Sequence, residues 1–146
     1  KETVAATRAL FADVAPEFHG EFIDFDPVWF EPKPLRSPPM IFGAMGPLGM
    51  RHTAEWADGW MPVDVALPDV KAAIKAFHDL LAEFGRKPNE VEVTLVVMSE
   101  VTPDLLKYYR DCGIDRCNIG VGMQNWNKPE IVMPMIERFS KIIAQL

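Results

Sequence analysis

Residues 39–59 hold the residue types and spacing best suited to chemistry. Pro39-Met40-Ile41-Phe42 is apolar and short enough for a buried strand, and Gly43-Ala44-Met45-Gly46 is a turn with two glycines. Pro47 then takes the first position of a helix that runs to Ala57, ahead of Asp58 and Gly59. A strand, a glycine-rich turn and a helix in that order bring backbone amides and the positive end of a helix to one place. A phosphate or carboxylate can sit there without a dedicated side chain. Short glycine-rich turns also arise for geometric reasons alone, so the residues by themselves leave an anion cradle and a plain connector both open. Arg51, in the helix after the turn, either adds charge to such a site or is solvated surface.

Other reactive side chains form no constellation. His19, His52 and His78 are scattered over an extended segment and two helices, which gives no metal site. Cys112 and Cys117 lie five apart, with neither metal-ligand spacing nor a disulfide framework around them, and are read as reduced thiols of a cytoplasmic protein. No Ser or Cys sits in a nucleophile elbow.

The elements that must position the turn alternate regularly. Glu2 to Ala15 is a helix with Val4, Ala5, Leu10, Phe11 and Val14 as its apolar positions and Lys1, Glu2, Arg8 and Asp13 between them, ending before Pro16. Residues 16–38 are rich in proline, with period-two alternation around Phe22 to Asp26, and read as an extended excursion with little regular pairing. From residue 39 onward four strand–helix pairs follow. Strands are expected at Met40–Gly43, Gly59–Val63, Val91–Met98 and Arg116–Val121. Helices are expected at Pro47–Ala57, Pro68–Phe84, Asp104–Cys112 and Pro129–Gln145. Gly85 and Gly113 are the C-terminal stops of two of these helices, and Pro134 is expected to end or kink the first turn of the last. Such a series requires parallel strands with right-handed crossovers. The strands lack the long β-branched runs of a central Rossmann sheet, and no Gly-x-Gly-x-x-Gly fingerprint follows any of them.

The order of an apolar strand ending Gly-Ala-x-Gly-Pro, a short helix and Ala57-Asp58-Gly59-Trp60 resembles the luciferase-like monooxygenase superfamily, most closely its deazaflavin-dependent oxidoreductases. Flavin-dependent relatives more often carry Gly-Gly-x-Ser, a pattern from which this chain departs at Ala44 and Gly46. His19, Gly20, Glu21, Phe22 and Phe25, with the Pro-x-Pro exit, resemble the segment that precedes the family's fifth barrel strand, and Gly113-Ile114-Asp115-Arg116 resembles the start of its eighth. The resemblance implies an α/β fold that is the C-terminal half of a (β/α)8 TIM barrel, a fold that typically needs about 250 residues. It also implies part of an oxidoreductase or monooxygenase using a deazaflavin (coenzyme F-420) or FMN on a small-molecule substrate.

In such barrels the active site lies at the C-terminal ends of the strands, which selects residues 43–46, 61–64, 98–100 and 120–124. The cofactor-binding set implied is Gly43, Ala44, Met45 and Gly46 for the phosphate, with Arg51 and Trp60. Trp60, Met61 and Val63 either line a ring pocket or pack in the core. Glu100 is a proton carrier or a solvated loop carboxylate, and Gln124, Asn125 and Trp126 reach a ligand or cap the last helix. Asp58, at a strand entry, belongs to the opposite face and a turn. No catalytic residue is assigned, because the family's ring-holding and proton-carrying groups come largely from the first four strands.

Half a barrel exposes two strand edges and an inner face, so a homodimer or a complementary N-terminal half is the expected partner. The alternative to an enzyme portion is a non-catalytic, self-assembling half-barrel with at most an anion site. Among 146 residues the 15 Lys and Arg are dispersed and outnumbered by 21 Asp and Glu, for a formal charge of -6, which argues against nucleic acid. No apolar run approaches the roughly 20 residues that cross a bilayer, and no signal peptide is recognisable.

Overall fold

The computed structural model describes residues 1–12 and 14–146. It divides into two compact units, Lys1–Met40 and Ile41–Leu146.

In the first unit, α1 spans Glu2–Ala12, shorter than the expected helix to Ala15, and Asp13 lies outside the described residues. Two short strands, β1 (Phe18–His19) and β2 (Asp24–Phe25), pair antiparallel with Phe18 opposite Phe25 and His19 opposite Asp24. Pairing in residues 16–38 is thus confined to these two positions, in keeping with the expected extended excursion, and this turn is organised by an acceptor from α1. The Glu2 carboxylate takes the amides of Phe22 (2.9 Å) and Ile23 (3.0 Å), and the Gly20 amide closes the turn on the Ile23 carbonyl at 2.9 Å. A Cβ on Gly20 would meet that carboxylate, so a larger residue there would have to displace the Glu2 side chain from its two amides.

The second unit holds a parallel sheet in the order β3-β4-β5-β6, with strands Ile41–Phe42, Gly59–Trp60, Glu92–Val97 and Arg116–Ile119. Helices α2 (Pro47–Trp56), α3 (Val70–Glu83), α4 (Pro103–Asp111) and α5 (Pro129–Ile143) alternate with them. All four strand–helix pairs stand where the periodicity places them. The second strand is shorter than expected: Pro62 has no amide to donate, and the chain rejoins β5 only through a bridge between Val63 and Val96. α5 runs on through Pro134 to Ile143, so the proline does not end the helix. Pro134 and Glu130 are both exposed, so water can satisfy the carbonyl that the missing N–H leaves free.

Alternation along β5 separates the two faces of the sheet. Val91, Val93, Leu95 and Val97 are buried in one core with Trp60, with Ala54 of α2, Ile74, Phe77 and Leu81 of α3, Leu106 and Tyr109 of α4, and Ile142 of α5. One cluster thus joins all four helices to a single face. A doubly wound sheet would divide its helices between two faces. On the other face Glu92 and Thr94 share a hydrogen bond of 2.7 Å, Arg116 pairs with Glu92 at 3.0 Å, and Met98 is 65% exposed. That face is the inner wall expected of a barrel segment.

Candidate functional site at the C-terminal rim

Because the four strands are parallel, residues following β3, β4, β5 and β6 meet at one rim. After β3 the chain turns at Gly43, Ala44, Met45 and Gly46, and Gly46 is the residue preceding the first turn of α2. No side chain caps this helix start. A Cβ built on Gly46 would meet nothing within 4 Å, so the approach to the first turn is open. Gly49 has the opposite constraint: its Cβ would stand 2.6 Å from the Ala44 Cβ, so only glycine lets the turn lie against α2.

Trp60 fixes the turn from beneath. Its indole N–H donates to the Ala44 carbonyl at 2.7 Å, while its ring lies 4.5 Å from that of Phe77 on α3. Fully buried on the helix-facing side of the sheet, Trp60 is core, and its link to the rim is this one hydrogen bond. Of the two sequence readings of Trp60, packing is the one the geometry realises. Arg51 is not brought to the turn. Its guanidinium pairs with Glu83 of α3 at 2.6 Å and lies 4.9 Å above the Phe84 ring, joining two helices.

After β4, Asp64 is buried and heavily bonded. Its carboxylate accepts from the amides of Val65 (2.7 Å), Met98 (2.9 Å) and Ser99 (3.1 Å) and from the Tyr109 hydroxyl (3.1 Å). Burial pushes its proton affinity up, but bonds from the Met98 amide, the Ser99 hydroxyl and amide and the Val65 amide outweigh it, and the net pKa is lowered. Tyr109 shifts the other way, to about 12, through burial and then through its bond to the Asp64 carboxylate. Burial, with a smaller push from Asp64, also raises Cys117, which keeps that thiol protonated.

Glu100, after β5, has an 84% exposed side chain, 3.8 Å from Arg138, and is solvated. After β6, the Trp126 indole donates to the Val121 carbonyl at 2.8 Å and Asn125 accepts from Lys128, so these residues shape the loop before α5. Asp58 stands at the other end of the sheet, where its carbonyl accepts the Glu92 amide. Among the described residues no group of three or more His, Cys, Asp or Glu is arranged to hold a metal ion, and no helix is long and apolar enough to cross a membrane.

Sequence reasoning brought the rim to Asp64 but assigned it no role. A carboxylate directly after the run Trp60-Met61-Pro62-Val63 was the available signal. Three of its four donors lie 34, 35 and 45 residues further along the chain, which no local pattern reveals.

Comparison with known proteins places this geometry. The model of the luciferase-like monooxygenase family matches residues 1–105. The chain belongs to that family. It is 32% identical over 125 residues to the uncharacterized protein Rv0953c of Mycobacterium tuberculosis (strain ATCC 25618 / H37Rv), covering 83% of this chain and 43% of the relative. An uncharacterized protein of Mycobacterium bovis matches to the same extent. The chain therefore spans under half the length of these curated relatives. Among solved structures, the monooxygenase RslO1 from Streptomyces bottropensis superposes with a TM-score of 0.54 at 21% identity, over 98% of this chain and 43% of that one. An F420-dependent secondary alcohol dehydrogenase, in complex with an F420-acetone adduct, superposes with a TM-score of 0.51 at 24% identity, over 70% of this chain and 32% of that one. These likenesses establish the fold: an α/β half of a luciferase-like TIM barrel.

Proposed function

We propose that the chain is the C-terminal portion of a flavin- or deazaflavin-dependent oxidoreductase, and that its turn at Gly43, Ala44, Met45 and Gly46 receives the cofactor's phosphate. The observation that carries this is the open, uncapped start of α2 at the strand C-termini of a luciferase-like chain. The residues fit such a group. Backbone donors and a helix N-terminus meet an anion there, and position 46 leaves room for it. When bound, a cofactor of this kind supplies two-electron transfer. This chain's contribution is to hold the phosphate by backbone, with Trp60 fixing the turn through the Ala44 carbonyl. Arg51, engaged with Glu83, takes no part.

The Gly-Ala-x-Gly-Pro turn and the F420-dependent structural neighbour favour the deazaflavin over FMN. A complementary set of four strand–helix pairs, from a second copy or from an N-terminal half, closes the barrel over the inner face. Fluorescence titration and thermal shift with coenzyme F420, FMN and inorganic phosphate test the reading. Binding of F420 or FMN, weakened by competing phosphate, is expected. Stabilisation by phosphate with no binding of either cofactor would leave an anion site without the redox role.

A further inference from the structure

At Asp64 a single side chain ties three segments of the rim together. Its bonds reach its own following residue, the chain leaving β5 and the hydroxyl of α4's Tyr109. We propose that Asp64 is a positioning residue: its carboxylate latches the chain after β5 to the end of β4, and so sets where Met98, Ser99 and Glu100 stand at the open end of the barrel.

The chemistry supports a latch. A carboxylate has about four lone-pair sites, and here four donors fill them, with the Ser99 hydroxyl alongside. Asp64 itself is buried, so its charge is held by these protein donors rather than by water. The buried run Val93, Leu95 and Val97 on β5 gives way at Met98 to exposed chain, and the core resumes at Val101, so the latch spans the gap between two stretches anchored by apolar packing. What the carboxylate adds is a defined path for residues with exposed side chains, Met98 at 65% exposure and Glu100 at 84%. Asparagine could not replace it, because an amide turns two hydrogens toward some of these donors.

Residue-resolved amide exchange on the chain itself, corrected for intrinsic rates, tests the latch without any ligand and independently of the cofactor reading. Asp64→Asn keeps one acceptor oxygen and so cannot serve both the Met98 amide, on one carboxylate oxygen, and the Ser99 amide, on the other. It is expected to speed exchange at one of the two by tenfold or more, on the order of one lost charged hydrogen bond, while Leu95 keeps its protection. Tyr109→Phe, which leaves the three amide bonds intact, should change these amides much less. In the wild type, protection at Met98 and Ser99 should fall on acidification below the ordinary carboxylate range while Leu95 remains protected. The titratable groups facing Asp64 are Tyr109 from α4 and Cys117 from β6, both raised and therefore neutral in acid, so such a step belongs to Asp64. Unchanged exchange at Met98 and Ser99 in Asp64→Asn would overturn the proposal. Should that variant fail to fold, a wild-type profile with no acid step at these two amides, Leu95 still being protected, would overturn it equally.

Discussion

Trp60 shows how one side chain serves core and rim at once. Its ring fills the space over Phe77 and its indole N–H satisfies the Ala44 carbonyl. Trp60→Phe keeps most of the apolar area but strands that carbonyl, and we expect a loss of about 1–3 kcal/mol in chemical denaturation. Trp60→Ala removes the ring too and should cost about 3–5 kcal/mol. Asp64 and Tyr109 make stability depend on pH in opposite directions. Asp64 has a folded pKa below its unfolded value of 3.8, so its contribution is complete above that value and is lost as pH falls through the lower folded pKa. Tyr109 has a folded pKa of about 12 against 10.0 unfolded, so its contribution is complete below pH 10.0 and is lost as pH rises toward 12. Urea unfolding across pH should show Asp64→Asn without the wild type's acid loss and Tyr109→Phe without its alkaline loss. At this scale the glycine turn was legible in the sequence, because strand, turn and helix are contiguous. The Asp64 cluster was not, because its parts meet only after the crossover through α3 and the start of the next.

Among the elements, the four strand–helix pairs were legible because each signal is local. The stripe Val70, Ile74, Phe77 and Leu81 lies on one face of α3, and both Gly85 and Gly113 take the left-handed backbone, with φ of 68 and 92, that ends a helix. Thr102 and Asp69 cap α4 and α3 through the Leu105 and Ala72 amides. The β1–β2 hairpin was obscured because Glu2 organises it from 20 residues away. The contact between the turn and α2 yields a test built on two glycines. Gly49→Ala places a methyl 2.6 Å from the Ala44 Cβ, so the turn must lift off the helix, at a cost of about 1–3 kcal/mol from overpacking. Gly46→Ala meets nothing within 4 Å and has an ordinary φ of -83, so its cost should stay within about 1 kcal/mol, that of a poorer N-cap. Denaturation midpoints that rank these variants the other way round would mean that the turn does not rest on α2.

For the second unit as a whole, its two outer strands decide behaviour in solution. Among the described residues β3 pairs only with β4 and β6 only with β5, which leaves two parallel edges open. Apolar surface flanks both. Phe42 and Leu48 are 40% and 68% exposed beside β3, and on α5, which packs by Phe139 and Ile142 against the core beside β6, Ile136 and Ile143 are 50% and 62% exposed. Parallel sheets occur almost only with both faces covered, and open apolar edges drive pairing. In a two-fold pair with its axis along the strands, β6 of one copy would meet β3 of the other, in parallel, at both seams. Sedimentation velocity is therefore expected to show a species larger than one chain at micromolar concentration. A separately expressed complementary half-barrel of four strand–helix pairs should dissociate that species into a one-to-one complex, because it offers matching edges and an inner wall of its own. A chain that stays monomeric at micromolar concentration and ignores the added segment would show that its edges and inner face need no cover.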